Sequence, residues 1–342
     1  MSKSSIKNLS NYSNGVRLKN SLVRYSTIIA LVILIMGLSI VTPKFLNPGN
    51  LVNILSQSSI LALVAVGLCL VIATGGLDLS VAVAFDVGGM VSVLLLQGGF
   101  GWLTAIIFGL LAGVVIGVFN SFLVLKIKIT VFLATLGTLF IVQSIERIIT
   151  EGGTPVYLPD MDEVFKFLGR GSVFVIQKGS QIDFKFSIVI ALLVALFIHL
   201  LLKRTVFGRY LYAIGSQKEA AELSGVPVGR YTLYAFILCS VICSFAGIIA
   251  SSALTSYVPL SGNYYLMDGI GAVFIGSTLN EKGFVDIPGT LIGVLFYGIV
   301  SNGLSLVGIN FYWQSVAHGL LMFFILILNS YRLISIKKIC LS

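Results

Sequence analysis

From Val87 to Leu125 the chain carries no charged side chain, and from Ile287 to Tyr331 it again carries none. Runs of this length have no place in a soluble fold, whereas an apolar helix of about 20 residues crosses a bilayer. Five more charge-free runs occur: Tyr25–Pro43, Phe45–Leu77, Ile129–Ile145, Phe186–Leu202 and Tyr231–Met267. Charged residues make up 10% of the 342, and mean hydropathy is +1.03. A soluble domain carries about 25% charged residues, so this chain lacks the polar surface a soluble enzyme needs. The expected fold class is all-α, a polytopic membrane protein.

The longer runs contain glycine- or proline-rich breaks at Gly75-Gly76, Gly98-Gly99, 256–263 and Gly308. Dividing the runs there gives ten spans, near 25–42, 54–74, 79–97, 102–125, 129–149, 186–202, 231–256, 267–280, 287–306 and 310–330. The span near 267–280 is short enough to be a partial or re-entrant helix. Short basic loops stay on the cytoplasmic side. With both termini inside, that side collects sixteen of the 22 basic residues. They are Lys3, Lys7, Arg17, Lys19, Arg24, Lys126, Lys128, Lys203, Arg204, Arg209, Lys218, Arg230, Lys282, Arg332, Lys337 and Lys338. Outside lie Lys44, Arg147, Lys166, Arg170, Lys178 and Lys185. Residues 1–24 then read as a cytoplasmic tail with no signal-peptide cleavage site, 25–330 as the membrane domain and 331–342 as a second cytoplasmic tail. This topology accounts for the net charge of +9 without a nucleic-acid partner. Cys69, Cys239, Cys243 and Cys340 are scattered, and His199 and His318 stand alone. No metal site is expected, and both histidines read as packing or interfacial residues.

Two interhelical segments are long and polar. Residues 150–185 fall outside, either as a plain connector or as a cap over the external mouth. Residues 203–230 fall inside and hold Gly215-Ser216-Gln217-Lys218-Glu219-Ala220-Ala221-Glu222-Leu223-Ser224-Gly225. Ser216 and Glu219 have capping-box spacing, and Gly225 suits a left-handed helix stop. A two-turn helix is unstable alone in water, so this one must dock on something.

The stretch 215–226 resembles the coupling helix of permease subunits in bacterial ABC importers of the ribose/xylose/galactose class. Three further motifs resemble that family in order: Gly75-Gly76-Leu77-Asp78-Leu79-Ser80-Val81, Phe132-Leu133-Ala134-Thr135-Leu136-Gly137, and Ser301-Asn302-Gly303-Leu304 followed by Tyr312-Trp313-Gln314 and Gly319-Leu320. The similarity spans about 45–330. Departures are Glu281-Lys282-Gly283-Phe284, Thr130-Val131 and Asp86 at a position usually apolar or small.

The resemblance implies a bacterial inner-membrane permease forming the pathway for a small sugar. Its implied partners are a separate ABC ATPase that binds ATP and magnesium, a periplasmic or lipid-anchored sugar-binding protein, and a second permease copy or paralogue. This chain has no Gly-x-x-x-x-Gly-Lys-Ser/Thr loop, and no cofactor of its own is expected. The resemblance also implies that Gly215, Ser216, Lys218, Glu219, Ala220, Ala221, Glu222, Leu223 and Gly225 meet the ATPase, with Ala220 and Ala221 permitting close approach. Intramembrane polar residues are costly, so Asp86, Asn120, Gln143, Asn302 and Gln314 are pathway candidates, or else interhelical ties. Asp86 is read as the deeply placed acid. Gly75, Gly76, Asp78 and Ser80 mark a helix break, with Asp78 as the expected N-cap of the following helix.

Overall fold

A computed structural model describes residues 28–178, 180–280, 283–310, 312–323 and 327. The two expected tails, with their basic residues, Lys282 and Cys340, lie outside the described residues. The chain folds into a helical bundle that opens with α1 (Ile28–Val41), α2 (Pro48–Ile72), α3 (Val81–Gln97), α4 (Trp102–Leu125) and α5 (Val131–Ile149). A short strand β1 (Val156–Tyr157), helix α6 (Glu163–Arg170) and the hairpin β2 (Ser172–Lys178) and β3 (Ser180–Lys185) follow. Next come α7 (Phe186–Arg204), α8 (Val206–Ser216), α9 (Lys218–Leu223), α10 (Val228–Leu254), β4 (Ser256–Tyr257), α11 (Gly262–Leu279) and α12 (Ile287–Leu306). Residues 312–323 form α13.

Six described helices are long and apolar enough to cross a membrane: α2, α4, α5, α7, α10 and α12, with α1 and α3 shorter apolar helices. Most boundaries lie close to the expected spans, with two corrections. Helix α11 is not a short fragment near 267–280 but an eighteen-residue helix from Gly262. Helix α2 begins at Pro48 and not near 54, because Asn47 accepts a hydrogen bond from the Gly49 amide and Pro48 suits the first helical turn. The all-α expectation is corrected by two small antiparallel sheets, β1 with β4 and β2 with β3.

The interior is apolar, as in a soluble protein, but the outward helix faces are apolar as well. Helices α2 and α10 are buried over most of their length, while α4 and α7 turn Leu111, Val115, Phe119, Leu193 and Phe197 outward. Small residues let the central helices touch. Gly113 and Gly117 of α4 lie against Ser240, Ser244 and Phe236–Ile237 of α10, where an added Cβ would stand 2.7 Å from Ser244 Cβ at Gly113, and Gly109 lies between Gly88 of α3 and Ile248 of α10. Ser244 Oγ donates to the Gly109 carbonyl at 2.7 Å, which ties the same crossing. Cys239 and Cys243 are buried beside Gly67 of α2.

The 150–185 segment folds back onto the bundle. Asp162 caps α6 by accepting from the Val164 and Phe165 amides. Ser252 of α10 donates to the Phe165 carbonyl at 2.6 Å and accepts from the Gly169 amide at 2.9 Å. Phe165 is buried among Val93, Ile248 and Tyr257, and β1 pairs with β4. The bundle therefore has a hairpin end and, opposite, an end bearing α8 and α9.

Candidate functional site

At the α9 end, Tyr212 of α8 donates its hydroxyl to the Val285 carbonyl at 2.8 Å. Gly215 then rests on the turn after α2: a Cβ there would strike the Ala73 carbonyl oxygen and lie 2.9 Å from the Gly75 amide. Gly75 holds φ +83°, a left-handed turn that glycine adopts freely. Close approach of two backbones thus explains both glycines at once. On the far side of the same turn, the Leu79 amide donates to Thr135 Oγ1 at 3.1 Å. Three of the four sequence motifs are therefore one contiguous structure.

Helix α9 is shorter than the sequence suggests. Ser216 closes α8, and Gln217, in extended conformation, precedes α9 with no side-chain cap, so the expected capping box of Ser216 and Glu219 does not form. The stop does form. Gly225 has φ +80°, its amide bonds the Glu222 carbonyl, and the Val226 amide bonds the Ala221 carbonyl, both at 3.0 Å. Ala221 is buried with Ile214 and Val228 of its own chain, which corrects the expectation that it permits approach of a partner. Ala220, Lys218, Glu219 and Glu222 face outward, and Leu223 is 91% exposed.

Toward the hairpin end, α11, α12 and α13 enclose a cavity of about 650 Å³ adjoining a second of about 310 Å³. Ser261, Tyr264, Asp268, Tyr297 and His318 line both. His318 is not the lone packing residue expected from sequence. Its Nδ1 lies 2.8 Å from Asp268 Oδ1, its Nε2 lies 3.0 Å from Ser301 Oγ, and its ring meets the Tyr297 ring edge-on at 5.1 Å between centroids. In sequence Asp268 borders a charge-free run and passes for a span end; its place in the first half of α11 identifies it. Glu146, buried near the end of α5, was hidden the same way by Arg147 beside it. Asp86 is therefore not the single deep acid.

Of the five pathway candidates, Gln314 lines the smaller cavity. The others make interhelical bonds. Asn120 donates to Ser80 Oγ and accepts from Thr138 Oγ1, each at 2.6 Å. Gln143 donates to Asn263 Oδ1 at 2.8 Å, and Asn302 exchanges bonds with Asn50 at 2.9 and 3.0 Å. Asp86 accepts from the Gly262 amide at 2.8 Å and Ser261 Oγ at 3.1 Å, holding the start of α11. Asp78 is not the N-cap of α3, a position Ser80 occupies; its Oδ1 accepts from the Ser80 amide at 2.9 Å and hydroxyl at 2.6 Å. Among the described residues no group of three or more His, Cys, Asp or Glu side chains comes together as a metal site.

The family model for the permease component of the branched-chain amino acid transport system matches residues 50–326. The chain belongs to this permease family. The permease is 33% identical over 325 residues to the ribose import permease of Haemophilus influenzae, covering 94% of this chain and 98% of that one. It is 34% identical over 301 residues to the ribose import permease of Bacillus subtilis, with 88% and 91% coverage. It is 31% identical over 306 residues to the galactose/methyl galactoside import permease of Escherichia coli, with 85% and 89% coverage. No solved structure matches the permease. As a multi-pass permease component of an ABC transport system, it is not a catalytic subunit.

Proposed function

We propose that the permease is the membrane half of an ATP-driven importer for a monosaccharide such as a pentose or hexose, delivered by an external binding protein. Both termini lie in the cytoplasm and ten helices cross the bacterial inner membrane, with α9 on the cytoplasmic face. A second copy or a paralogue completes the pathway, and a separate ATPase supplies the motor. The cavity between α11 and α13 belongs to the solute path. Its volume falls in the range of small-molecule sites, about 300–1,000 Å³. Tyr264, Asp268, Ser301 and His318 offer the mixed donors and acceptors a polyhydroxylated solute needs. The names of the relatives favour a sugar, whereas a nucleoside, a furanose or a branched-chain amino acid would suit the same machine.

The observation that carries the coupling assignment is the division of α9 into two faces. Ala221 anchors it to the bundle while Leu223, a large apolar side chain, stands 91% exposed at its tip. The whole outward side of α9, Lys218, Glu219, Ala220, Glu222 and Leu223, is left uncovered by the bundle, as a short helix that docks on a partner requires. Rigid attachment through Gly215 to the Ala73–Gly75 turn lets a displaced α9 move α2, α3 and α10 together. Co-purification with the partner ATPase tests this. Leu223→Glu should abolish capture of the ATPase while the permease itself stays monodisperse and equally stable. Normal capture and normal uptake by that variant would refute the placement.

A further inference from the structure

The connection from α10 to α11 is held in a conformation it would not choose. Thr255 and Leu260 have φ +53° and +62°, left-handed values that β-branched and bulky residues avoid. Such strain persists only where the surroundings over-determine it. Thr255 ends α10, and its carbonyl accepts from the Leu158 amide at 3.1 Å; around Leu260, two buried acids from other helices do the holding. Glu146 Oε1 of α5 accepts from the Leu260 amide at 2.6 Å and from the Tyr257 hydroxyl. Asp86 Oδ1 of α3 accepts from the Gly262 amide at 2.8 Å and the Ser261 hydroxyl at 3.1 Å. The second oxygen of each acid is buried with no hydrogen-bond partner. Every side-chain bond these acids make among the described residues therefore goes to 257–262. Burying acids in a membrane bundle is costly, which argues for a function in that grip.

The gripped segment stands at a junction. Val258, Pro259, Leu260 and Ser261 line the larger cavity. Upstream, α10 runs directly from the α9 loop; downstream, α11 carries Tyr264 and Asp268 into the cavity. We infer that Glu146 and Asp86 are positioning residues for transport, two clamps that fix 257–262 with Leu260 in its strained form and so shape the cavity and link the travel of α10 to α11. The inference rests on reading this cavity as part of the solute path.

The test uses the full permease in two assays. In detergent, without partners, the V258C variant in a C340S background, whose other cysteines are buried, is labelled with a water-soluble maleimide. Adding Glu146→Ala should speed labelling about tenfold, the effect of losing its two hydrogen bonds to Tyr257 and Leu260. Glu146→Gln, whose amide oxygen still accepts from Leu260, should return it toward the parent rate, and Asp86→Ala and Asp86→Asn should behave likewise. In proteoliposomes with ATPase and binding protein, Glu146→Ala should lower uptake about tenfold, leave basal ATP hydrolysis unchanged and be rescued by Glu146→Gln. Should the alanine variant fail to fold, Tyr257→Phe, which removes one bond and keeps the Leu260 contact, should give intermediate labelling. Parent-like labelling in Glu146→Ala and Tyr257→Phe overturns the clamp. Faster labelling with glutamine rescue supports it even if no monosaccharide enters with the parent protein, a result that would instead refute the transport reading.

Discussion

Replacing Gly117 with alanine should destabilise the bundle by about 1–3 kcal/mol, although alanine is the better helix former. Its Cβ would stand 2.7 Å from Ile237 Cα, 2.9 Å from the Phe236 carbonyl oxygen and 3.0 Å from the Ile237 amide nitrogen. All three atoms are α10 backbone, so no side chain can swing aside. Carbon atoms rest at about 3.5–4.0 Å, so α10 must retreat by roughly 1 Å. That retreat weakens the Ser244–Gly109 hydrogen bond two turns along α4, worth about 1 kcal/mol. Better helix propensity returns about 1 kcal/mol, leaving the overpacking penalty as the net effect. Gly137→Ala is the control: nothing lies within 4 Å of its Cβ, so only propensity acts and stability should rise by up to about 1 kcal/mol. Thermal unfolding of the two purified variants in one detergent reads the difference. Gly117→Ala melting at or above the parent temperature would refute the packing of α4 on α10.

Thr255→Gly should raise the melting temperature, because glycine relieves a left-handed β-branched residue at the α10 C-terminus by about 1 kcal/mol. His318→Ala should raise the half-saturating solute concentration for uptake about tenfold, through loss of a cavity contact and of the Asp268 and Ser301 partners; unchanged uptake kinetics would remove the cavity from the path. The hairpin should loosen in acid. Partial burial pushes the Asp183 carboxyl up, but hydrogen bonds from Lys185 and Ser172 and the Lys185 charge outweigh it, leaving it below the ordinary 3.8. A depressed folded value means the contact stabilises fully above the unfolded carboxyl range and is lost as pH falls through the folded value. Hydrogen-exchange protection over 172–185, measured against the intrinsic rate at each pH, should therefore fall at low pH, and Asp183→Asn should flatten that dependence.

Helix breaks at Gly75, Gly99 and Gly308 were legible in sequence because each is a left-handed turn that glycine takes without strain. The turn at 255–261 lacks glycine at its two left-handed positions, so its geometry depends on partners far away in sequence, Leu158 at Thr255 and Glu146 at Leu260. The start of α11 was obscured for the same reason: Asn263-Tyr264-Tyr265 reads as a loop until Asp86 is seen holding the Gly262 amide. Locally, Ser216 and Glu219 spell a capping box. The contact of Gly215 with the Ala73 carbonyl accompanies the extension of α8 through Ser216 and wins over that local signal. Asp268 and His318, fifty residues apart, become a site only when α11 and α13 pack together. Periodicity and composition reveal spans; they do not reveal which buried polar groups meet.

ATP-dependent uptake tests the central claim most directly. The permease, reconstituted in proteoliposomes with an ATPase subunit and a sugar-binding protein, should accumulate labelled ribose or galactose only when ATP and both partners are present. Leu223→Glu should abolish that accumulation. Uptake that proceeds without the ATPase, driven by an ion gradient or by the solute gradient alone, would contradict the account.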